Sequence, residues 1–290
     1  MTYDKKLIYH IFGIFCALIW GTTFLVSKML LETFTPIQVV MCRFFLAYLA
    51  LWVLCPKWQF HWKDELGFLL MSLFGNTLYY LCENSALTYT YSSNVSILVS
   101  AAPLATVLLL FLFDRKGAGN LTKKMLLGML VAFFGMMLVV LNGSLILHLS
   151  PIGDLLSLGG ALSWGFYSII LARFTDRFSS MFISRKIMFY GMLTSLPILI
   201  LQGKPFPLAA YLQPQNMAGI LFLGLIGSAG CYVAWNLACT GLGIIKANMY
   251  IYTIPFVTLA AGAIVYHEQI TPMAVVGALL IACGMFLSGQ

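Results

Sequence analysis

Charged side chains are scarce in this sequence. Of its 290 residues, 16 are lysine or arginine and 9 are aspartate or glutamate, so that 9% of the chain is charged while 61% is hydrophobic. A soluble domain carries about 25% charged residues, which it needs to cover its surface. The composition therefore excludes a soluble protein and predicts an all-α integral membrane protein whose surplus apolar side chains face lipid.

Several motifs of catalysis, ATP hydrolysis and metal binding are also missing. The sequence contains no G-x-x-x-x-G-K-[ST] loop, which excludes an ATP-driven pump. Its seven cysteines are odd in number and have no C-x-x-C spacing, and its four histidines have no ligand spacing. No Ser-His or His-Glu pair stands out as a catalytic group. We therefore predict no enzyme, no metal, no cofactor and no nucleic-acid partner.

Apolar runs predict ten transmembrane helices. A spanning helix needs about 20 mostly apolar residues, and proline, glycine or charged residues punctuate such runs. The runs lie near residues 8–30, 36–55, 66–88, 92–113, 122–142, 151–173, 182–202, 215–240, 245–266 and 272–288.

Lysine and arginine predict the orientation of these spans, because they concentrate in cytoplasmic loops. Lys28 and Lys204 fall on one side, and Arg43 lies inside a span. The other side holds Lys5, Lys6, Lys57, Lys63, Arg115, Lys116, Lys123, Lys124, Arg173, Arg177, Arg185, Lys186 and Lys246. We therefore predict the cytoplasmic membrane as the location, with both termini cytoplasmic. If one span had been missed, the lysines and arginines would no longer fall mainly on one side. The asymmetry therefore supports an even number of spans.

The two halves of the sequence resemble each other. The sequence ALIWG at residues 17–21 is echoed by ALSWG at residues 161–165. The spacing from Asn84 and Ala86 to Pro103 recurs from Asn236 and Ala238 to Pro255, and that of Gly128 and Gly135 recurs at Gly277 and Gly284. Five spans per half predict two inverted five-helix repeats, residues 1–145 and 146–290. Inverted repeats are typical of secondary transporters, although a passive channel with duplicated halves is an alternative.

These same motifs resemble the drug/metabolite transporter superfamily, in its EamA-type ten-helix branch. The resemblance extends over the whole chain and rests on the two ALxWG motifs, Arg43, Ala86-Leu87, Ser92-Ser93, Pro103, Gly153-Asp154-Leu155, Pro255, His267-Glu268 and Gly277/Gly284. It implies transport of a small molecule, in a family that handles amino acids, metabolites, cations and drugs. Members usually have a glutamate after the fourth span, where this sequence has Asp114-Arg115-Lys116.

Two ionisable residues stand out deep inside predicted spans, where a charge costs about 2.5–3.5 kcal/mol on insertion scales. Arg43 lies roughly 10 Å below the outer end of the second span, at 1.5 Å per residue, and Glu83 lies at a similar depth in the third. One hypothesis is a salt bridge that makes both charges tolerable. The other is that Glu83 binds a proton or a cationic group, or that Arg43 binds a carboxylate. The second repeat has Trp235 in place of Glu83, and this asymmetry favours a functional role.

Aromatic residues near the middle of the spans predict a substrate cavity. Trp20 and Trp164 lie about a dozen residues into their spans, far from the interfaces where tryptophan usually concentrates. They either pack against other helices or lipid, or form the wall of a central cavity. The candidate substrate-binding residues are Trp20, Tyr80, Glu83, Asn84, Trp164, Tyr167, Tyr232, Trp235, Asn236 and Tyr252.

Two prolines inside spans are candidates for gating. Pro103 and Pro255 occupy equivalent places in the two halves, and proline kinks helices by removing a backbone hydrogen bond. Together with Glu83 and Arg43, they form the predicted set of coupling and gating residues. Packing is the alternative explanation for both prolines.

The sequence thus predicts a secondary active transporter that moves an amino acid or a similar amphiphilic or cationic metabolite, in the direction of export, by alternating access. A proton is one candidate coupling ion. A lipid or lipid-linked substrate flippase and a passive channel are the alternatives. Ten spans suffice for a transport path within a monomer, and a homodimer is equally compatible.

Overall fold

The computed structural model describes residues 3–57, 59–90, 92–113, 121–141, 150–266 and 270–289, and these residues contain helices but no strand. The first half comprises α1 (Tyr3–Leu31), α2 (Pro36–Leu54), α3 (Trp62–Ser72), α4 (Tyr79–Tyr89), α5 (Ser92–Val99), α6 (Ala102–Phe113) and α7 (Lys123–Leu141). The second half comprises α8 (Pro151–Leu171), α9 (Ser180–Gln202), α10 (Leu208–Tyr211), α11 (Pro214–Leu221), α12 (Cys231–Leu242), α13 (Ile244–Asn248), α14 (Ile254–Tyr266) and α15 (Pro272–Gly289).

Eight helical stretches of the described residues are long and apolar enough to span a membrane. They coincide with all of the predicted spans except the third and the tenth. The tenth, Pro272–Ser288, is apolar and helical but short. The third is helical from Trp62 to Tyr89, and its polar residues Asn76, Glu83 and Asn84 lower its hydropathy. The fold is therefore that of a multi-pass helical membrane protein.

Helix boundaries follow from local capping. Thr35 begins α2 with a capping box, in which its hydroxyl accepts from the backbone of Gln38 while the Gln38 side chain accepts from the Thr35 backbone. Ser179 caps α9 with a single hydrogen bond, which its hydroxyl accepts from the backbone of Phe182. Gly203 ends α9 with a φ of 62°, a left-handed conformation that glycine adopts without strain. Short-range chemistry thus separates neighbouring spans.

Two π-helical segments interrupt the α-helices of the third and eighth predicted spans. Leu73–Leu78 lies between α3 and α4, and Phe222–Gly230 lies between α11 and α12. A π-helix pairs each N–H with the carbonyl five residues back, and such segments often occur at functional sites. Both segments end directly before the helices that carry Tyr80 and Tyr232.

Two glycine pairs allow a close crossing of α7 and α15. A Cβ atom built on Gly128 would lie 2.5 Å from the carbonyl oxygen of Gly284, and one on Gly135 would lie 2.6 Å from that of Gly277. The first glycine of one helix thus faces the second glycine of the other, so the two helices run antiparallel. Small residues commonly allow such close approach between membrane helices.

Candidate functional site

Three tryptophans from different helices meet at the centre of the protein. The ring centroids of Trp20 and Trp164 are 5.4 Å apart in an edge-to-face arrangement, and Trp235 lies 5.1 Å from Trp20 and 5.7 Å from Trp164. Tyr167 and Tyr232 pack against Trp164 at 5.0 and 6.4 Å. Since all five side chains are buried, the predicted midplane tryptophans lie inside the protein rather than against lipid.

The indole N–H groups of these tryptophans are not equivalent. Trp20 donates to the carbonyl of Gly227 at 3.0 Å, and Trp164 donates to the Asn248 side chain at 2.9 Å. The Nε1 atom of Trp235 is buried without a hydrogen-bond partner. A buried donor without a partner is costly, which makes Trp235 a candidate for binding a ligand.

Side chains from the other half of the protein bind the carbonyl groups of both π-helical segments. Trp20 binds Gly227 in the second segment, as described, and Tyr232 donates to the Gly75 carbonyl of the first at 2.7 Å. Ser163 donates to the neighbouring Phe74 carbonyl, also at 2.7 Å. Hydrogen bonds from Trp20 and Tyr232 therefore connect both π-helical segments directly to the aromatic centre.

Replacing Tyr232 with phenylalanine is expected to destabilise the fold by about 1–3 kcal/mol, because it leaves the buried Gly75 carbonyl without its donor. The midpoint of unfolding by SDS in mixed micelles measures this change. Tyr252→Phe is the matched control, because Tyr252 is also fully buried but its hydroxyl has no hydrogen-bond partner. Equal midpoints for the two variants would contradict this role of Tyr232.

A central pocket adjoins the tryptophans. It is lined by Trp20, Thr23, Phe24, Tyr79, Tyr80, Glu83, Val99, Ser100, Ala102, Trp164, Ile251 and Ile254. Its free volume is about 30 Å³, far below the roughly 300–1,000 Å³ of pockets that hold small molecules. The pocket is therefore too small for a metabolite in this conformation and has to widen before it can hold one.

The structure shows no salt bridge between Arg43 and Glu83. Neither of the two salt bridges among the described residues involves them. Arg43 instead donates to the Ser228 hydroxyl at 2.9 Å and to the Tyr80 hydroxyl at 3.2 Å, and its guanidinium lies 4.0 Å from the Tyr80 ring centroid. The salt-bridge hypothesis is thus wrong for this conformation, because Arg43 binds Ser228 and Tyr80 in place of the carboxylate.

Arg43 is a buried cation with an unused donor. It is 1% exposed, and its Nη1 atom has no hydrogen-bond partner. Glu83, at 4% exposed, lines the pocket together with Tyr80. Tyr80 and Glu83 both line the pocket, and Arg43 binds Tyr80 from behind this wall. The wall therefore has an acidic side chain at its surface and a basic side chain behind it.

The remaining predicted binding residues differ in their surroundings. The Asn236 amide accepts from the Tyr167 hydroxyl at 3.0 Å and donates to Ser184 at 2.9 Å. Asn84, its counterpart in the first half, is fully buried, and neither of its amide atoms has a partner. Tyr252 is not among the residues that line the central pocket. It packs in another apolar cluster, with its ring 6.3 Å from that of Phe133.

Pro103 and Pro255 each stand as the second residue of a helix that follows a break. Pro103 lies in α6, after the turn at residues 100–101, and Pro255 lies in α14, directly after the 3-10 segment Met249–Thr253. Next to these breaks are pocket residues that the sequence analysis did not identify, namely Val99, Ser100, Ala102, Ile251 and Ile254. The two prolines could have indicated these pocket residues in the sequence, since each proline lies within four residues of them.

Two parts of the predicted resemblance lie outside the described residues. These are His267-Glu268 and Asp114-Arg115-Lys116.

Comparisons with known proteins agree with this architecture. Residues 7–141 and 151–290 each match the sequence model of the EamA-like transporter family. An uncharacterized transporter of Archaeoglobus fulgidus is 25% identical over 96% of both chains. A probable amino-acid metabolite efflux pump of Escherichia coli is 22% identical over 96% of this chain and 93% of its own. A solved crystal structure superposes with a TM-score of 0.76 over 99% of both chains at 17% identity, which shows a shared fold.

Proposed function

Because the chain belongs to the EamA-like transporter family, we propose that it is a secondary active transporter that exports an amino acid or a similar small amphiphilic metabolite. It acts in the cytoplasmic membrane, with both termini on the cytoplasmic side. The observation that carries this proposal is the central pocket, where Glu83 and the Arg43-bound Tyr80 form one wall beside the tryptophans.

The charges of this wall fit a zwitterionic substrate. Glu83 borders the pocket and is suited to bind an ammonium group. The unpartnered Nη1 atom of Arg43 is suited to bind a carboxylate once Tyr80 moves aside. The aromatic rings of Trp20 and Trp164 supply contacts for an apolar side chain. The E. coli relative described as a probable amino-acid metabolite efflux pump supports the same class of substrate.

Alternating access is supported by the symmetry of the two halves. The family model matches each half separately. Each half has a π-helical segment directly before its Tyr80 or Tyr232 helix, and the antiparallel crossing of α7 and α15 pairs equivalent glycines. Two inverted repeats, residues 1–145 and 146–290, account for these observations and allow the halves to exchange conformations.

The helix breaks before Pro103 and Pro255 are the proposed hinges. They adjoin residues on the pocket wall, so that bending there widens the pocket from its volume of about 30 Å³. Proline favours such a bend, because it has no backbone N–H. A helix that bends at proline therefore breaks no hydrogen bond from that residue. Opening at one break or the other would expose the pocket to one side of the membrane at a time.

A transport assay tests the proposal. The purified protein in liposomes is expected to show saturable uptake of at least one member of a radiolabelled panel of amino acids, choline and related amines. If the coupling ion is a proton, an imposed pH gradient raises the initial rate. Protein-free liposomes are the control. Absence of saturable uptake for the whole panel would contradict this class of substrate.

A flippase is the second candidate function, and one observation favours it. An apolar cavity of about 480 Å³ lies between α1, α2 and the second π-helical segment. Its lining includes Phe15, Leu54, Leu225 and Leu237 but no charged residue that could hold a lipid headgroup. We therefore prefer the charged central pocket as the substrate site. Movement of fluorescent lipids between leaflets, without uptake of soluble substrates, would reverse this preference.

A further inference from the structure

A further cavity, of about 140 Å³, lies beside the beginning of α9 and shares no lining residue with the central pocket. Tyr48 of α2, Phe60 of the following linker, and Arg185, Lys186, Phe189 and Tyr190 of α9 line it. Arg185 and Lys186 belong to the set of cations predicted to face the cytoplasm. They lie near the first residue of the candidate span Ser180–Gln202, which is the level at which lipid headgroups contact a membrane protein.

Arg185 is a buried cation with no acidic partner in the described part of the chain. Its side chain is directed to the backbone, where it donates to the carbonyls of Cys55 and Lys57, and its guanidinium lies 5.3 Å from the Phe182 ring centroid. The residue is 4% exposed. The carbonyl groups orient the guanidinium but leave its full positive charge uncompensated.

Lys186 forms a salt bridge with Glu65. Its Nζ atom lies 2.7 Å from Glu65 Oε1, and the Tyr190 hydroxyl donates to Glu65 Oε2 at 2.5 Å. The Glu65 carboxylate accepts hydrogen bonds from Lys186, from the Tyr190 hydroxyl and from the His61 backbone, and these bonds stabilise its ionised form. Glu65 is therefore ionised at neutral pH, where it neutralises one of the two cations.

The resulting cluster of Arg185, Lys186 and Glu65 has a net charge of +1. The neighbouring Asp64 does not cancel it, because Asp64 binds Arg177 at 2.8 Å. Lys57, on the linker, adds another exposed positive charge. An uncompensated buried charge beside an apolar phase is costly, and an anion bound in the cavity would remove that cost.

Aromatic side chains form another part of the cavity lining and lead to an exposed apolar surface. Tyr48 and Phe189 pack with ring centroids 5.7 Å apart, and Phe189 is exposed. Phe189 lies one helical turn, about 6 Å, below Arg185 in the direction of the membrane interior. The cavity thus leads from a cationic group at headgroup level to an apolar surface at the level of acyl chains.

We propose that this cavity binds an anionic phospholipid, with its phosphate held by Arg185 and Lys186 and its glycerol and acyl chain against Tyr48, Phe60 and Phe189. Positive side chains near the membrane surface attract anionic lipids. The proposal does not depend on what the central pocket transports, since the two cavities share no residue.

A series of charge variants tests the site. Lys186→Gln lowers the charge of the cluster to zero, Glu65→Gln raises it to +2, and the double variant restores +1. Affinity for dihexanoyl phosphatidylglycerol is measured from the concentration dependence of each variant's own thermal midpoint, so that differences in basal stability do not matter. We expect Lys186→Gln to weaken binding about fivefold, Glu65→Gln to strengthen it by a similar factor, and the double variant to resemble the wild type.

Two further ligands and one further variant distinguish the alternatives. Dihexanoyl phosphatidylcholine, which has no net charge, and inorganic phosphate are both expected to give much smaller shifts. Lys204→Gln, on the opposite face, is expected to leave the affinity unchanged. Equal affinities for both lipids, an equal shift by inorganic phosphate, or an order of variants that does not follow the charge of the cluster would overturn the proposal.

Discussion

Replacing Glu83 with glutamine is expected to reduce gradient-driven uptake about 10–100-fold in proteoliposomes. The substitution preserves the size of a side chain that is 4% exposed on the pocket wall but removes its charge. A hydrogen bond to a charged group contributes about 1.5–3 kcal/mol, which corresponds to this loss in affinity or rate. Initial rates of uptake of the transported metabolite, at saturating and limiting concentrations, measure the effect.

A counterflow experiment separates the two roles that Glu83 could have. If Glu83 carries the coupling proton, Glu83→Gln abolishes the response to a pH gradient but retains exchange of labelled for unlabelled substrate. If Glu83 binds the substrate ammonium, exchange falls together with net uptake. Glu32→Gln is the matched control, because Glu32 is an exposed carboxylate at the end of α1. Rates equal to those of the wild type in both assays would exclude Glu83 from the transport cycle.

The aromatic centre was predictable from the sequence because it rests on internal repetition. The ALxWG motifs placed Trp20 and Trp164 in equivalent positions, and the structure brings their rings to 5.4 Å. Glu83 and Trp235 occupy equivalent positions in the two halves, and the difference between them likewise drew attention to this region. Both halves match the same family model, and here residues at equivalent positions of the two halves lie in contact, so repetition in the sequence carried three-dimensional information.

Contacts that depend on side-chain direction were not predictable in this way. Depth along a span placed Arg43 and Glu83 at one level but could not show that Arg43 binds Ser228 and Tyr80. Similarly, Tyr252 belongs to an aromatic, midspan segment but packs beside Phe133. The π-helical segments also have no distinctive local sequence. They depend on donors from distant residues, such as Tyr232 for the carbonyl of Gly75.

Replacing Gly135 with alanine is expected to destabilise the protein by about 1–3 kcal/mol, and Gly135→Leu by more, through overpacking. The new Cβ atom would lie 2.6 Å from the Gly277 carbonyl oxygen and 2.8 Å from the backbone nitrogen of Ile281. Backbone atoms cannot rotate away as the end of a side chain can, so α7 and α15 have to separate. Unfolding by SDS in mixed micelles measures the loss.

Gly160→Ala is the control, since Gly160 is also a buried glycine within a long apolar helix. The nearest atoms to its new Cβ would be 3.7 Å or more away, an ordinary contact distance. Alanine favours a helix over glycine by up to about 1 kcal/mol, so this variant is expected to be neutral or more stable. Equal stability of the two alanine variants would show that α7 and α15 can part without cost. A loss confined to Gly135→Ala would instead show that the close backbone contact between α7 and α15 stabilises the fold.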